Sequence, residues 1–214
     1  MVSVIERREA PWLSAIGLSA KYCSSFIVTS SLSRVNVSSE HAPNSIRTYG
    51  DPVLTTVAAT VENIDGKLVS LAEDMLHIMY EAPGIGLAGP QIGVQKQIFV
   101  WDLEDDPQVI LNPVIVESSG EWVYDEGCLS IPGLFVEMLR PKLILVRGVS
   151  LDGNEVEFEA DELLSRLFQH EIDHLQGVLM FDRMAPEQRK VAMKEYRQRV
   201  DGSVSAPPVH VKLD

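Results

Sequence analysis

The sequence predicts an α+β domain: antiparallel sheets packed around a buried central helix that carries an H-E-x-x-H motif, followed by a C-terminal helix. Three observations predict it. Six short β-type runs follow one another between residues 97 and 159, joined by turns and without βαβ alternation, which argues against a parallel sheet. Only two internal stretches have strong helical periodicity, and the second, about residues 161–176, is apolar around most of its circumference, as a buried helix is. The 214 residues, 45% of them apolar, suffice for one sizeable core and not for two domains of ordinary size.

Taken in order, residues 1–44 are rich in serine and valine and lack a period, and they are expected to be a disordered N-terminal extension. Glu6 and Glu9 stand among the leading charges, where a secretory or transit signal is poor in acids, so organellar targeting is not expected. The catalytic domain is expected over 45–184. Tyr49-Gly50-Asp51-Pro52 reads as a turn. Leu68, Leu71, Ala72, Met75, Leu76 and Met79 then recur at helical spacing and predict a core helix over residues 66–81, ended by Pro83 and Gly84. His77 and Asp74 lie off its apolar stripe and read as solvated. Residues 84–91 (GIGLAGPQ) contain no lysine and do not lead from a strand into a phosphate-binding helix, so they are neither P-loop nor dinucleotide fingerprint. Their glycines fit close backbone approach or plain packing, and spacing alone leaves both open.

Strands are predicted over 97–102, 109–117, 121–124, 134–139, 142–151 and 155–159, with Asp152-Gly153 as a hairpin signal. The buried helix carries Leu163, Leu164, Leu167, Phe168, Ile172 and Leu175, and Gly177 suits its end. Pro186 suits the first turn of a last helix over 185–200, in which Arg189, Lys190, Lys194, Arg197 and Arg199 outnumber Glu187 and Glu195. A solvated face is the ordinary reading, with contact to a polyanion as the alternative. Residues 201–214, with Pro207-Pro208, are expected to be a disordered tail.

A formal charge of −13 argues against general nucleic-acid binding. No run of eighteen apolar residues appears, so no membrane span is expected. Cys23 and Cys128 fall in unrelated contexts and form no disulfide framework, which fits a reducing, cytoplasmic setting.

Residues 169–177 (QHEIDHLQG) carry the chemistry. His170 and His174 lie roughly 40° apart around a helix and one turn apart along it, so both imidazoles can reach one ion. Ile172 points the other way, into a core. Helical geometry does not say whether Glu171 or Asp173 faces the metal, but the H-E-x-x-H pattern favours Glu171. Cys128, in Glu126-Gly127-Cys128-Leu129-Ser130, is the natural third ligand. One thiolate and two imidazoles leave a fourth position open, as a catalytic metal requires.

These three stretches together resemble the peptide deformylases: residues 84–91 are similar to their glycine-rich motif, 126–130 to their E-G-C-L-S, and 169–175 to their Q-H-E-x-D-H-L. The resemblance covers about residues 46–184, and Gly89, at a position usually alanine in the family, is expected to loosen its loop. It implies a metal-dependent hydrolase that removes the formyl group from N-formyl-methionyl nascent peptides. It also implies ferrous iron on Cys128, His170 and His174, with zinc, nickel or cobalt as substitutes. By the same resemblance, Glu171 moves the proton, and the Gln91 amide and the Leu129 backbone N–H receive the developing oxyanion. Gly86 pairs with the peptide backbone, while Ile85, Leu163 and Leu167 are the candidates for the methionine pocket. Arg140 and Arg166 are expected near its mouth, with a plain surface charge as the alternative for either, and the basic last helix is expected to meet the ribosome.

Two rivals stand beside this reading. The long zinc-endopeptidase signature needs a third histidine where this chain has Met180. A closed structural site would need Asp173 or Glu126 as a fourth ligand.

Overall fold

The structure is a computed structural model and describes residues 46–202 and 209–212. The N-terminal extension, with Cys23, lies outside the described residues. In chain order the elements are α1 (Gly66–Glu81), β1 (Gly86–Ala88), β2 (Ile98–Trp101), β3 (Gln108–Ser119), β4 (Trp122–Cys128), β5 (Ile131–Arg140), β6 (Leu143–Val149), β7 (Glu155–Asp161), α2 (Glu162–Leu175), α3 (Met180–Arg183), α4 (Pro186–Val200) and β8 (Val209–Val211). One sheet runs β1-β2-β3-β6-β7, antiparallel throughout, and the other β4-β5-β8. The predicted α+β class is the observed one.

The first helix starts where its sequence says it should. Asp65 caps α1 by accepting a hydrogen bond from the Leu68 N–H at 2.9 Å, which satisfies one of the free donors of the first turn. Leu68, Ala72, Met75, Leu76 and Met79 form its buried stripe.

Strand β2 explains how the sheet is covered. All four of its residues are buried, the pattern of a strand with both faces packed. Ile98 and Val100 join α1 in one cluster, and Phe99 and Trp101 join Leu167, Phe168 and Ile172 of α2 in another. Phe168 meets Phe99 edge-on at 5.3 Å and Trp101 at 4.7 Å between ring centres, so its ring locks α2 to the sheet. A third cluster holds β5 to the last helices through Leu134, Val136, Phe181, Ala192 and Tyr196.

Three expectations are corrected. Part of the expected disordered tail, Val209–Val211, pairs in parallel with Leu134–Val136 of β5, and Val211 is buried in the third cluster; an apolar side chain and a free sheet edge outweigh the proline-rich approach. The fourth strand extends past Tyr124 to Cys128, through residues of low β propensity, because pairing with β5 holds them. Gly89 is buried rather than loosening: a Cβ there would lie 2.8 Å from the Val94 carbonyl oxygen and 3.0 Å from that of Lys96. Among the described residues, no helix is long and apolar enough to cross a membrane.

Candidate metal centre

Two periodicities assemble the centre. On α2 the i, i+4 spacing puts His170 and His174 on one face, with ring centres 4.8 Å apart. On β4 the period of two puts Glu126 and Cys128 on one side of the strand. The Cys128 Sγ and one nitrogen of each histidine lie within 4.8 Å of one another. Cys128 Sγ stands 3.2 Å from His174 Nε2.

One imidazole is held from behind, whereas His174 Nδ1 is buried without a hydrogen-bond partner. His170 Nδ1 lies 2.7 Å from Glu126 Oε1, which fixes the ring and leaves Nε2 for the centre. Arg140 donates to both Glu126 oxygens at 2.8 and 2.6 Å and to Asp173 at 2.8 Å. Arg166 adds a hydrogen bond to Glu126 Oε2 at 2.9 Å, and Arg183 grips Asp173. Burial works against the Glu126 anion, yet hydrogen bonds from His170 and Arg140 hold its carboxyl well below the usual range. Burial and the neighbouring His170 keep His174 well below the usual imidazole range, in the neutral form that a ligand needs.

The sequence reading missed this arginine–carboxylate frame. Arg140 is not at a mouth: it is 5% exposed and spent on Glu126 and Asp173. Arg166 borders the cavity, but its guanidinium is turned inward to Glu126 and to the Trp122 and Met138 carbonyls. The available signal was Glu126 standing two strand residues before Cys128. Because arginines occupy Glu126 and Asp173, neither is free to close a four-ligand structural site.

The remaining candidates surround a cavity of about 610 Å³. Ile85 and Gly86 border it together with Cys128 and Leu129, and Leu163, Leu167, His170 and Glu171 come from α2. Leu167 is buried, whereas Ile85 and Leu163 are 45% and 41% exposed. Gln91 accepts a hydrogen bond from the Ala88 N–H at 2.8 Å, so its Nε2 faces Ser130 Oγ at 3.3 Å and Cys128 Sγ at 3.8 Å. Glu171 is buried, its Oε2 has no hydrogen-bond partner, and burial pushes its carboxyl up to about 7, with His170 opposing and Glu126 reinforcing.

The donor set therefore fits a transition metal: one soft sulfur, two imidazoles and an unsatisfied carboxyl oxygen beside an open cavity. The comparisons agree with that geometry. A model of the polypeptide deformylase family matches residues 43–190. The peptide deformylase of Clostridium botulinum is 47% identical over 142 residues, which is 66% of this chain and 97% of that protein. The crystal structure of the Thermus thermophilus peptide deformylase superposes with a TM-score of 0.70 at 42% identity, covering 73% of this chain and 95% of that one. That of the Legionella pneumophila enzyme also gives 0.70, at 37% identity, covering 76% and 98%. With the match running through the strand that ends in Cys128 and the helix that bears both histidines, the chain belongs to the polypeptide deformylase family.

Proposed function

We infer that this protein is a metal-dependent peptide deformylase, which hydrolyses the N-formyl group of newly made polypeptides and releases formate. The observation that carries the reading is the buried Glu171 carboxyl oxygen, without a partner, beside the Cys128, His170 and His174 donors. A cation bound by those three supplies Lewis acidity that makes water nucleophilic near neutral pH. In the proposed reaction Glu171 accepts the water's proton and delivers it to the leaving amine, a task suited to a buried carboxyl whose Oε2 has no other partner. The Gln91 Nε2 and the Leu129 backbone N–H donate to the oxygen of the formyl group as charge develops there. The Ala88 hydrogen bond keeps the Gln91 amide in the donating orientation.

Substrate binding follows from the cavity walls. Gly86 is on β1, an edge strand, and an incoming peptide can pair with its free backbone groups. Ile85, Leu163 and Leu167 form the apolar pocket for the methionine side chain. Thiolate and imidazole suit both iron and zinc; the proposed resident metal is ferrous iron, with zinc, nickel and cobalt as substitutes. The proposed setting is cytoplasmic, with the catalytic domain at 45–184 and the basic last helix meeting the ribosome.

The test is formate release from formyl-Met-Ala-Ser by anaerobically prepared protein, beside Glu171→Ala with its metal content measured. Turnover in the wild type, lost in the variant with metal retained, is the expected result. Metal bound by the wild type without turnover would refute the reading.

A further inference from the structure

The short strand β8 lies beyond residue 190, where the family match ends, yet it reaches the cavity wall. Its partners Leu134 and Phe135 both border the cavity. His210 stacks on Phe135 at 5.2 Å and 13° between rings, and its Nδ1 lies 2.9 Å from Asp125 Oδ2. Asp125 also borders the cavity, and its other oxygen, Oδ1, is buried without a hydrogen-bond partner. The ring of Phe135 in turn covers Gly127, where a Cβ would fall 2.6 Å from it. Val211, buried in the third cluster, anchors the strand.

We propose that β8 is a built part of the substrate cleft and that His210 is a specificity-determining residue, masking the Asp125 carboxylate on the wall that meets side chains following the formyl-methionine. The inference rests on the deformylase reading above. Gly86 borders the same cavity as Asp125 and Phe135, so a peptide paired at Gly86 has its later side chains within that cavity's reach of the two. With His210 in place Asp125 Oδ2 is engaged; without it that oxygen is left to the cleft. Basic side chains are then favoured over acidic ones.

The experiment compares kcat/KM for formyl-Met-Ala-Lys and formyl-Met-Ala-Glu, as the ratio of the two, in the full-length holoenzyme. His210→Ala is expected to raise the lysine-to-glutamate ratio about three- to five-fold, the size of one exposed charge contact. His210→Phe keeps a ring on Phe135 but removes the hydrogen bond to Asp125, and should raise the ratio as much. Asp125→Asn should lower it. A ratio unchanged in His210→Phe, with formate still released, would overturn the proposal whatever His210→Ala does, because a strand that only braces the fold predicts that result. No formate release by the wild type from either peptide would instead overturn the deformylase reading, and this inference with it.

Discussion

Gly86 and Glu171 are in contact: a Cβ added to Gly86 would sit 2.6 Å from Glu171 Oε1 and 3.2 Å from its carboxyl carbon. The absence of a side chain at residue 86 therefore serves the carboxyl group as well as any peptide that pairs there. Gly86→Ala should push the carboxylate off its position while sparing the metal donors. A displacement of about 1 Å costs on the order of 100-fold in rate, so kcat/KM for formate release should fall by about that factor at unchanged metal content. Wild-type kcat/KM in the variant would show that Glu171 does not depend on this glycine.

The frame behind His170 gives a second prediction. Glu126→Gln removes the anion shared by His170, Arg140 and Arg166. Metal affinity should drop about 10- to 100-fold, as losses of such supporting partners do, and stability by about 3–5 kcal/mol, the cost of breaking a buried ion pair. Chelator competition and urea unfolding measure the two separately.

The same carboxyl has a pH signature. Its folded-state value is held below the ordinary 4.5, so its stabilisation is fully present above that value and is lost as pH falls through the acid range. Glu126→Gln should flatten the acid limb of stability against pH. Equal limbs in the two proteins would remove Glu126 from the account.

Glu171 has the opposite sign. Burial raises it from 4.5 to about 7, so its favourable state is the protonated one, fully present below 4.5 and lost as pH rises through 7. Glu171 should make metal-free protein lose stability across that window, and Glu171→Gln should remove its share of the slope, leaving those of His170 and His174. Thermal melts of both proteins between pH 4.5 and 8 test this.

Chelation should stop turnover without unfolding the chain. The three apolar clusters are closed by side chains such as Phe168, Leu68 and Phe181, and of the metal donors only Cys128 packs against one of them. Loss of the helical circular dichroism signal on metal removal would favour a structural site.

The last helix makes a separate prediction about partners. Lys190, Lys194 and Arg197 are exposed, while Ala192 and Tyr196 are buried in the core, so deletion would damage the fold and charge reversal would not. Replacing those three by glutamate should weaken co-sedimentation with ribosomes at low salt while leaving the melting temperature unchanged. Equal co-sedimentation would dismiss the contact.

The sequence by itself determined the α+β class and the span of α1 and α4 and pointed to a histidine pair that could hold a metal, because each is a local pattern: period 3.6 along α1, proline at the start of α4, His170 and His174 one turn apart. Cys128 is matched to them by its residue type and turn-like setting, since 42 residues separate it from His170 and no local period links them. What only the tertiary structure decided depends on contacts between distant segments. Arg140 and Arg166 look like surface charges until β4, β5 and α2 close around Glu126. That Gly86 also makes room for Glu171 shows only once α2 packs against β1. The tail looks structureless until β5 offers an open edge and a pocket for Val211. Periodicity registers the face a residue presents along its own element, whereas these roles are set by what the fold brings to that face.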